Sequence, residues 1–297
     1  MALFYAGGAF ATPLTEAPAE AVAAITSQAE EPASEAASVD ASGAGAAGAP
    51  ASGEEAAEAA APEGLLAHQV PLDLDGSGTA WLLTSTALVL LMTLPGLALF
   101  YGGMVRRKNV IATIAQTTGV FAVATLMWFI VGYSLAFGVG SETLHPYVGN
   151  LEMLFLNGVT METANSLLPG IPEFLWVAFQ LTFAVITPAL VTGAFAERMK
   201  YSALLLFAAL WSVIVYAPIA HWVWGGGFLG DMGVLDFAGG AVVHVNSGVA
   251  GLVCAIVLGP RKGYGAGPIV AHNPVLTLIG ASLLLVGWIG FNAGSAG

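Results

Sequence analysis

Residues 236–258 read DFAGGAVVHVNSGVAGLVCAIVL, and this stretch decides the fold. A single helix of about 20 apolar residues is enough to cross a bilayer, and this run meets that length. No formal charge follows Asp236, yet His244 sits near the middle and small residues recur along the run. A polar side chain in such a place is expensive unless it has a partner or a task. Gly240, Gly248, Gly251 and Ala255 lie near the His244 side at spacings of three, four or seven, which admits either a closely packed helix or a narrow lumen.

Composition extends the membrane reading to the rest of the chain. Of 297 residues, 57% are hydrophobic and 9% charged, with a mean hydropathy of +0.81; soluble domains carry about 25% charged residues. The expected fold class is all-α, a polytopic membrane helix bundle. The single cysteine, Cys254, lies in an apolar run and supplies neither a disulfide framework nor a thiolate zinc site. The net charge of −12 has a local origin, because 12 of the 19 carboxylates fall between Glu16 and Asp75. Residues 1 to about 76 are built from Ala, Gly, Ser, Pro and Glu and are expected to form a disordered acidic tail preceding a membrane domain over 77–297. The opening MALFYAGGAFA is similar to the end of a signal peptide, with an A-x-A pattern at Ala9-Phe10-Ala11. No Lys or Arg precedes it, so a truncated start or a plain disordered terminus is the expectation.

Six apolar segments follow, at 81–105, 110–137, 174–196, 201 to about 224, 237–259 and 274–297, with a kink expected at Pro95-Gly96. All seven basic residues occur in three clusters, after the first, third and fifth segments: Arg106-Arg107-Lys108, Arg198 with Lys200, and Arg261-Lys262. The loops after the second and fourth carry only acids among their charged residues. The positive-inside rule then places the clusters in the cytoplasm and the N-terminus outside, in a multi-pass protein of the cell membrane. Topology accounts for every basic residue, which leaves no basic surface for nucleic acid. The same orientation brings Trp176, Phe179, Phe183, His221, Trp224, Asp236, Phe291, Asn292 and Ser295 toward one outer mouth.

The candidate residues each carry two readings. As a helix, Asp236 to His244 spans about 12 Å of rise, which puts the imidazole near mid-membrane as a handler of protons or polar molecules, or as a buried histidine bonded to a carbonyl. Asp236 reads first as a helix N-cap and second as a cation-attracting carboxylate. Phe179 and Phe183 share a helix face with Trp176, and their rings, like that of Trp224, suit either packing or a cation held by aromatic quadrupoles. His221 has no spacing partner for a metal. No H-E-x-x-H, G-x-S-x-G, P-loop, C-x-x-C or dinucleotide fingerprint is present, so no enzyme and no cofactor is indicated. A membrane enzyme using His244 as base would lack its nucleophile or metal set.

PGLALFYGG (95–103), HWVWGGG (221–227), DFAGG (236–240) with His244, and GWIGFNAGS (287–295) resemble, in this order, the motifs of the ammonium transporter (Amt/Rh) family, on its ammonium-transporter side. The resemblance covers 77–297 and leaves out the tail. It implies ammonium, with methylammonium as analogue, recruited by Phe183, Trp224 and Ser295 with Asp236 as a structural neighbour of that site. It further implies a phenyl gate of Phe179 and Phe291, and a first pore histidine at His244. It implies no cofactor and no metal, a homotrimer, and in prokaryotes a cytoplasmic PII-type regulator. Family members resemble eleven-helix proteins with two inverted halves of five, so this chain corresponds to the first half plus one helix, a portion of a longer coding sequence. The alternative is the membrane domain of an ammonium sensor without net flux.

Overall fold

The structure, a computed structural model, describes residues 65–296. The leader-like opening, and residues 1–64 of the acidic tail expected over 1 to about 76, lie outside the described residues. Among the described residues, six helices are long and apolar enough to cross a membrane: α1 Gly76–Met104, α2 Arg107–Phe137, α3 Glu173–Phe195, α4 Tyr201–Asp231, α5 Gly240–Leu258 and α6 Pro274–Ala293. A short antiparallel ladder pairs β1 (Gln69–Pro71) with β2 (Thr163–Asn165). The six expected segments are thus all present as helices.

Local chemistry sets the helix ends. Asp75 caps α1 by accepting the Ser77 N–H at 2.9 Å, and Asn273 caps α6 by accepting the Leu276 N–H at 3.1 Å. Pro274 follows at the first helical position, where a missing N–H costs nothing. The kink expected in α1 is present: Leu94 leaves helical backbone (φ −131°, ψ 111°) immediately before Pro95.

α3 is the most enclosed helix, with Phe179, Phe183, Val185, Ala189 and Phe195 all buried. It packs against α1, α2 and α5, while α6 lies along α1 and α4 along α2. Small residues permit these approaches. A Cβ on Gly251 of α5 would sit 3.3 Å from the Ala194 Cβ of α3, and Gly280 of α6 rests directly on the Phe100 backbone of α1. One side of α5 and of α6 stays uncovered, with Val249, Leu252, Ile256, Leu278 and Leu285 exposed.

The reading of residues up to about 76 as tail needs correction at its end. Glu173, fully buried at the start of α3, accepts hydrogen bonds from Gln69 Nε2 (2.5 Å), Tyr133 Oη (2.8 Å) and Thr163 Oγ1 (3.2 Å). His68 Nε2 lies 2.6 Å from the same carboxylate. One carboxylate therefore fastens the β1 segment, β2, α2 and α3 together, and the folded part includes His68 and Gln69. Composition alone hides this, because the partners are separated by about a hundred residues.

The three basic clusters come together at the opposite end. Glu197 accepts from the Arg106 backbone N–H (3.0 Å) and Nε (2.8 Å) and from Asn109 Nδ2 (2.7 Å). Arg106 Nη2 and Arg261 Nη1 lie 2.6 and 3.9 Å from its second oxygen. Arg198 donates to the Gly259 carbonyl at 2.6 Å, closing the last turn of α5. Burial alone would push the Glu197 carboxyl up; the Arg106 and Asn109 hydrogen bonds and the Arg106 charge outweigh it and hold the group down at about 2.

Candidate functional site

At the ladder end of the bundle a cavity of about 420 Å³ opens between the start of α3, the end of α4, the approach to α5 and the end of α6. Trp176, Phe179, Gln180, Phe183, Trp224, Asp236 and Ser295 line it, so most of the expected mouth residues meet there. α3 contributes its aromatic face through a regular helical spacing. α6 supplies Trp288 and Phe291, and the turn past its end places Ser295 against the Phe291 carbonyl.

The aromatic order is specific. Phe183 meets Trp224 edge-on at 5.7 Å, with planes at 86°, and Phe179 meets Phe183 at 5.1 Å and 71°. The closest ring pair is Phe183 with Phe291, at 4.4 Å and 38°. The expected stacking partner of Phe291 is thereby corrected: Phe183 holds that position, because it lies one helical turn deeper along α3 than Phe179. All three phenylalanines are about 1% exposed.

Asp236 is a cap, the first of its two readings. One carboxylate oxygen accepts the Gly239 and Gly240 N–H groups at 2.7 and 2.6 Å; the other accepts Ala241 and Val242 at 2.8 Å each. An ionised carboxylate has about four lone-pair sites, and the start of α5 takes all of them. Gly239 makes this possible with a left-handed φ of 91°. The Asp236 carbonyl also accepts the Trp224 indole N–H at 2.7 Å, fixing that ring over the cavity.

His244 lies beyond the ring pair. Its imidazole is 5.8 Å from Phe291 and 6.3 Å from Trp288, both on α6, and it does not line the cavity. Helical geometry begins at Gly240, not at Asp236, so only the last four of the eight steps from Asp236 to His244 contribute helical rise and His244 lies less deep than the expected rise of about 12 Å. His244 and Phe291 both sit in widened π-type turns, Gly240–Val245 and Ile289–Ala293, a feature frequent at functional sites because it re-aims side chains. Gly248, expected beside His244, has open space on its Cβ side, whereas Gly251 faces α3.

Ser295 Oγ donates to the Phe291 carbonyl at 2.9 Å, which leaves its lone pairs free to accept. His221 is fully buried, with Nδ1 2.9 Å from the Ala136 carbonyl and Nε2 2.5 Å from that of His145. Among the described residues no cluster could hold a metal. Sequence reasoning passed over Gln180, whose signal was plain: an amide inside an otherwise apolar span. It also passed over the scaffolding role of Glu173, which only its distant partners disclose.

Comparison with known proteins gives one consistent result. The model of the Ammonium Transporter Family matches residues 80–297. An ammonium transporter of Aquifex aeolicus is 51% identical over 227 residues, covering 75% of this chain and 51% of that protein. One from Bacillus subtilis is 50% identical over 224 residues, covering 73% and 52%. Among solved structures, Candida albicans Mep2 aligns with a TM-score of 0.67 at 35% identity, over 75% of this chain and 49% of its own. The chain spans about half the length of the curated relatives it matches.

Proposed function

The chain belongs to the ammonium transporter family, and from that premise we propose that its membrane domain recruits ammonium at the aromatic mouth and passes ammonia toward His244. The observation that carries this reading is the order of groups. A cavity with Trp224, Phe183 and Ser295 in its wall ends on the Phe183–Phe291 pair, and a histidine lies directly behind that pair.

Aromatic faces hold a cation at roughly 0.5–2 kcal/mol each, and a serine oxygen accepts one N–H. Moving a bare ion into hydrocarbon costs tens of kcal/mol in the idealised limit, whereas neutral ammonia needs only a hydrogen-bond partner. The proton therefore leaves at the mouth, the phenyl pair swings to admit ammonia, and the imidazole of His244 receives it. Phe183 and Phe291 form the gate; Phe179 belongs to the mouth; Asp236 positions Trp224 and the start of α5 without touching the cation. Water at the mouth takes up the proton, which crosses separately along a histidine relay beginning at His244 and rejoins ammonia on the far side, so the transport is electrogenic.

The finer reading includes a plasma-membrane location with the ladder end outside, a homotrimer, a PII-type partner on the basic face, and further chain covering the open sides of α5 and α6. A transporter is favoured over a sensor because the half-identical relatives are ammonium transporters, while the likeness to a sensor Amt protein is 29%. The test is uptake of labelled methylammonium by cells lacking their own ammonium uptake and expressing the complete reading frame. Phe183→Ala and His244→Ala should each reduce low-concentration uptake at least tenfold. Wild-type uptake by both variants would sink the assignment.

A further inference from the structure

An ammonium ion offers four N–H donors and no acceptor, so the side-chain oxygens of the cavity wall decide how it is held. Three lining residues carry such oxygens: Asp236, Ser295 and Gln180. The Asp236 carboxylate is filled by backbone N–H groups, and Ser295 supplies one hydroxyl. Trp176 also has a buried, unpartnered polar atom, but its indole N–H is a donor and has the wrong polarity for a cation.

Gln180 remains. It follows Phe179 directly and precedes Phe183 by three residues on α3, and it is only 6% exposed. Its Oε1 is enclosed and unpartnered. A buried amide left unpaired is a standing cost that folded proteins avoid. A half-turn about the terminal torsion exchanges oxygen and nitrogen with little barrier, so a cation in the cavity selects the orientation that presents the oxygen.

Resting on the ammonium reading above, we propose that Gln180 is a substrate-contacting residue, its amide oxygen, turned into the cavity, accepting an N–H of the bound cation in addition to the one accepted by the Ser295 hydroxyl. A neutral acceptor suits a site that must also release the ion's proton, since it binds the cation without holding a counter-charge in place.

The experiment is saturable uptake of labelled methylammonium by the complete reading frame, normalised to membrane-inserted protein, for wild type, Gln180→Leu, Gln180→Met, Gln180→Glu and Phe183→Ala. Losing a hydrogen bond to a charged group predicts a KM raised about tenfold in the Leu and Met variants, with the maximal rate within about twofold of wild type. The Glu variant keeps acceptor oxygens and should retain or lower KM. A purely packing role gives the reverse order, with Leu and Met tolerated and Glu damaging. That order, or a wild-type KM in Leu or Met beside a weakened Phe183→Ala, overturns the inference alone. Absence of saturable uptake by wild type overturns the ammonium reading and this inference with it.

Discussion

Asp236 and Glu197 mark opposite ends of the bundle, and both carboxylates are saturated with hydrogen bonds, but by different partners. Asp236 spends its lone pairs on four backbone N–H groups and one helix terminus. Glu197 gathers the Arg106 side chain, Asn109 and the more distant Arg261. The mouth thus neutralises its carboxylate with the dipole of α5, leaving aromatic faces and uncharged oxygens toward the cavity. The basic end pairs full charges and ties three interhelical loops. Paired side-chain charges hold one end together, and backbone N–H groups contain the carboxylate at the other.

The largest expected effect breaks the mouth side of this contrast. Asp236→Ala strands four N–H groups at the start of α5, while the backbone carbonyl that holds the Trp224 indole is kept. Net loss of hydrogen bonds to a charged group runs at roughly 1.5–3 kcal/mol each. The folded fraction should collapse, seen as loss of the monodisperse peak in detergent and of uptake together. Normal folding with weakened uptake would instead restore Asp236 as a direct cation ligand.

The basic end is probed through acid stability. The Glu197 group falls from its ordinary value of 4.5 to about 2 on folding. Because the folded value is the lower one, its contribution is full above pH 4.5 and is lost as pH falls through about 2. At 1.36 kcal/mol per unit the full shift sets an upper limit of roughly 3 kcal/mol, and solvent screening at this end of the bundle reduces the expected contribution to about 1–2 kcal/mol. Glu197→Gln should lower thermal stability at pH 6 by that order and flatten its decline between pH 5 and 2. An unchanged acid limb would mean the network contributes nothing measurable.

A smaller effect tests the frame joining the two ends. Gly251→Leu forces a side chain against Ala194, where a Cβ alone already sits at 3.3 Å. Overpacking of this kind costs about 1–3 kcal/mol. Thermal unfolding in detergent should register it, while Gly248→Leu, facing open space among the described residues, should register less.

The six spans, the kink before Pro95 and the shared end of the basic clusters were legible in the sequence, because apolar length and the placement of Lys and Arg report bilayer geometry directly. The mouth followed from topology, and its cap from Asp236 preceding a small-residue helix start. What stayed hidden depended on distance and depth. The Glu173 network joins residues a hundred positions apart. Assigning the ring that faces Phe291 needed the relative depth of α3 and α6, which no spacing within one helix supplies. Gln180 was visible as an amide in a span, but the unpartnered state of its oxygen required the packed cavity.

The most direct measurement is a high-resolution structure of the complete reading frame's protein with saturating methylammonium. The account predicts the cation in the mouth cavity, its ammonium group against the Trp224 and Phe183 rings and within hydrogen-bond reach of the Ser295 hydroxyl, with Asp236 still bonded to the start of α5. A cation seated on the Asp236 carboxylate, or a mouth holding only water while the ligand binds elsewhere, would contradict it.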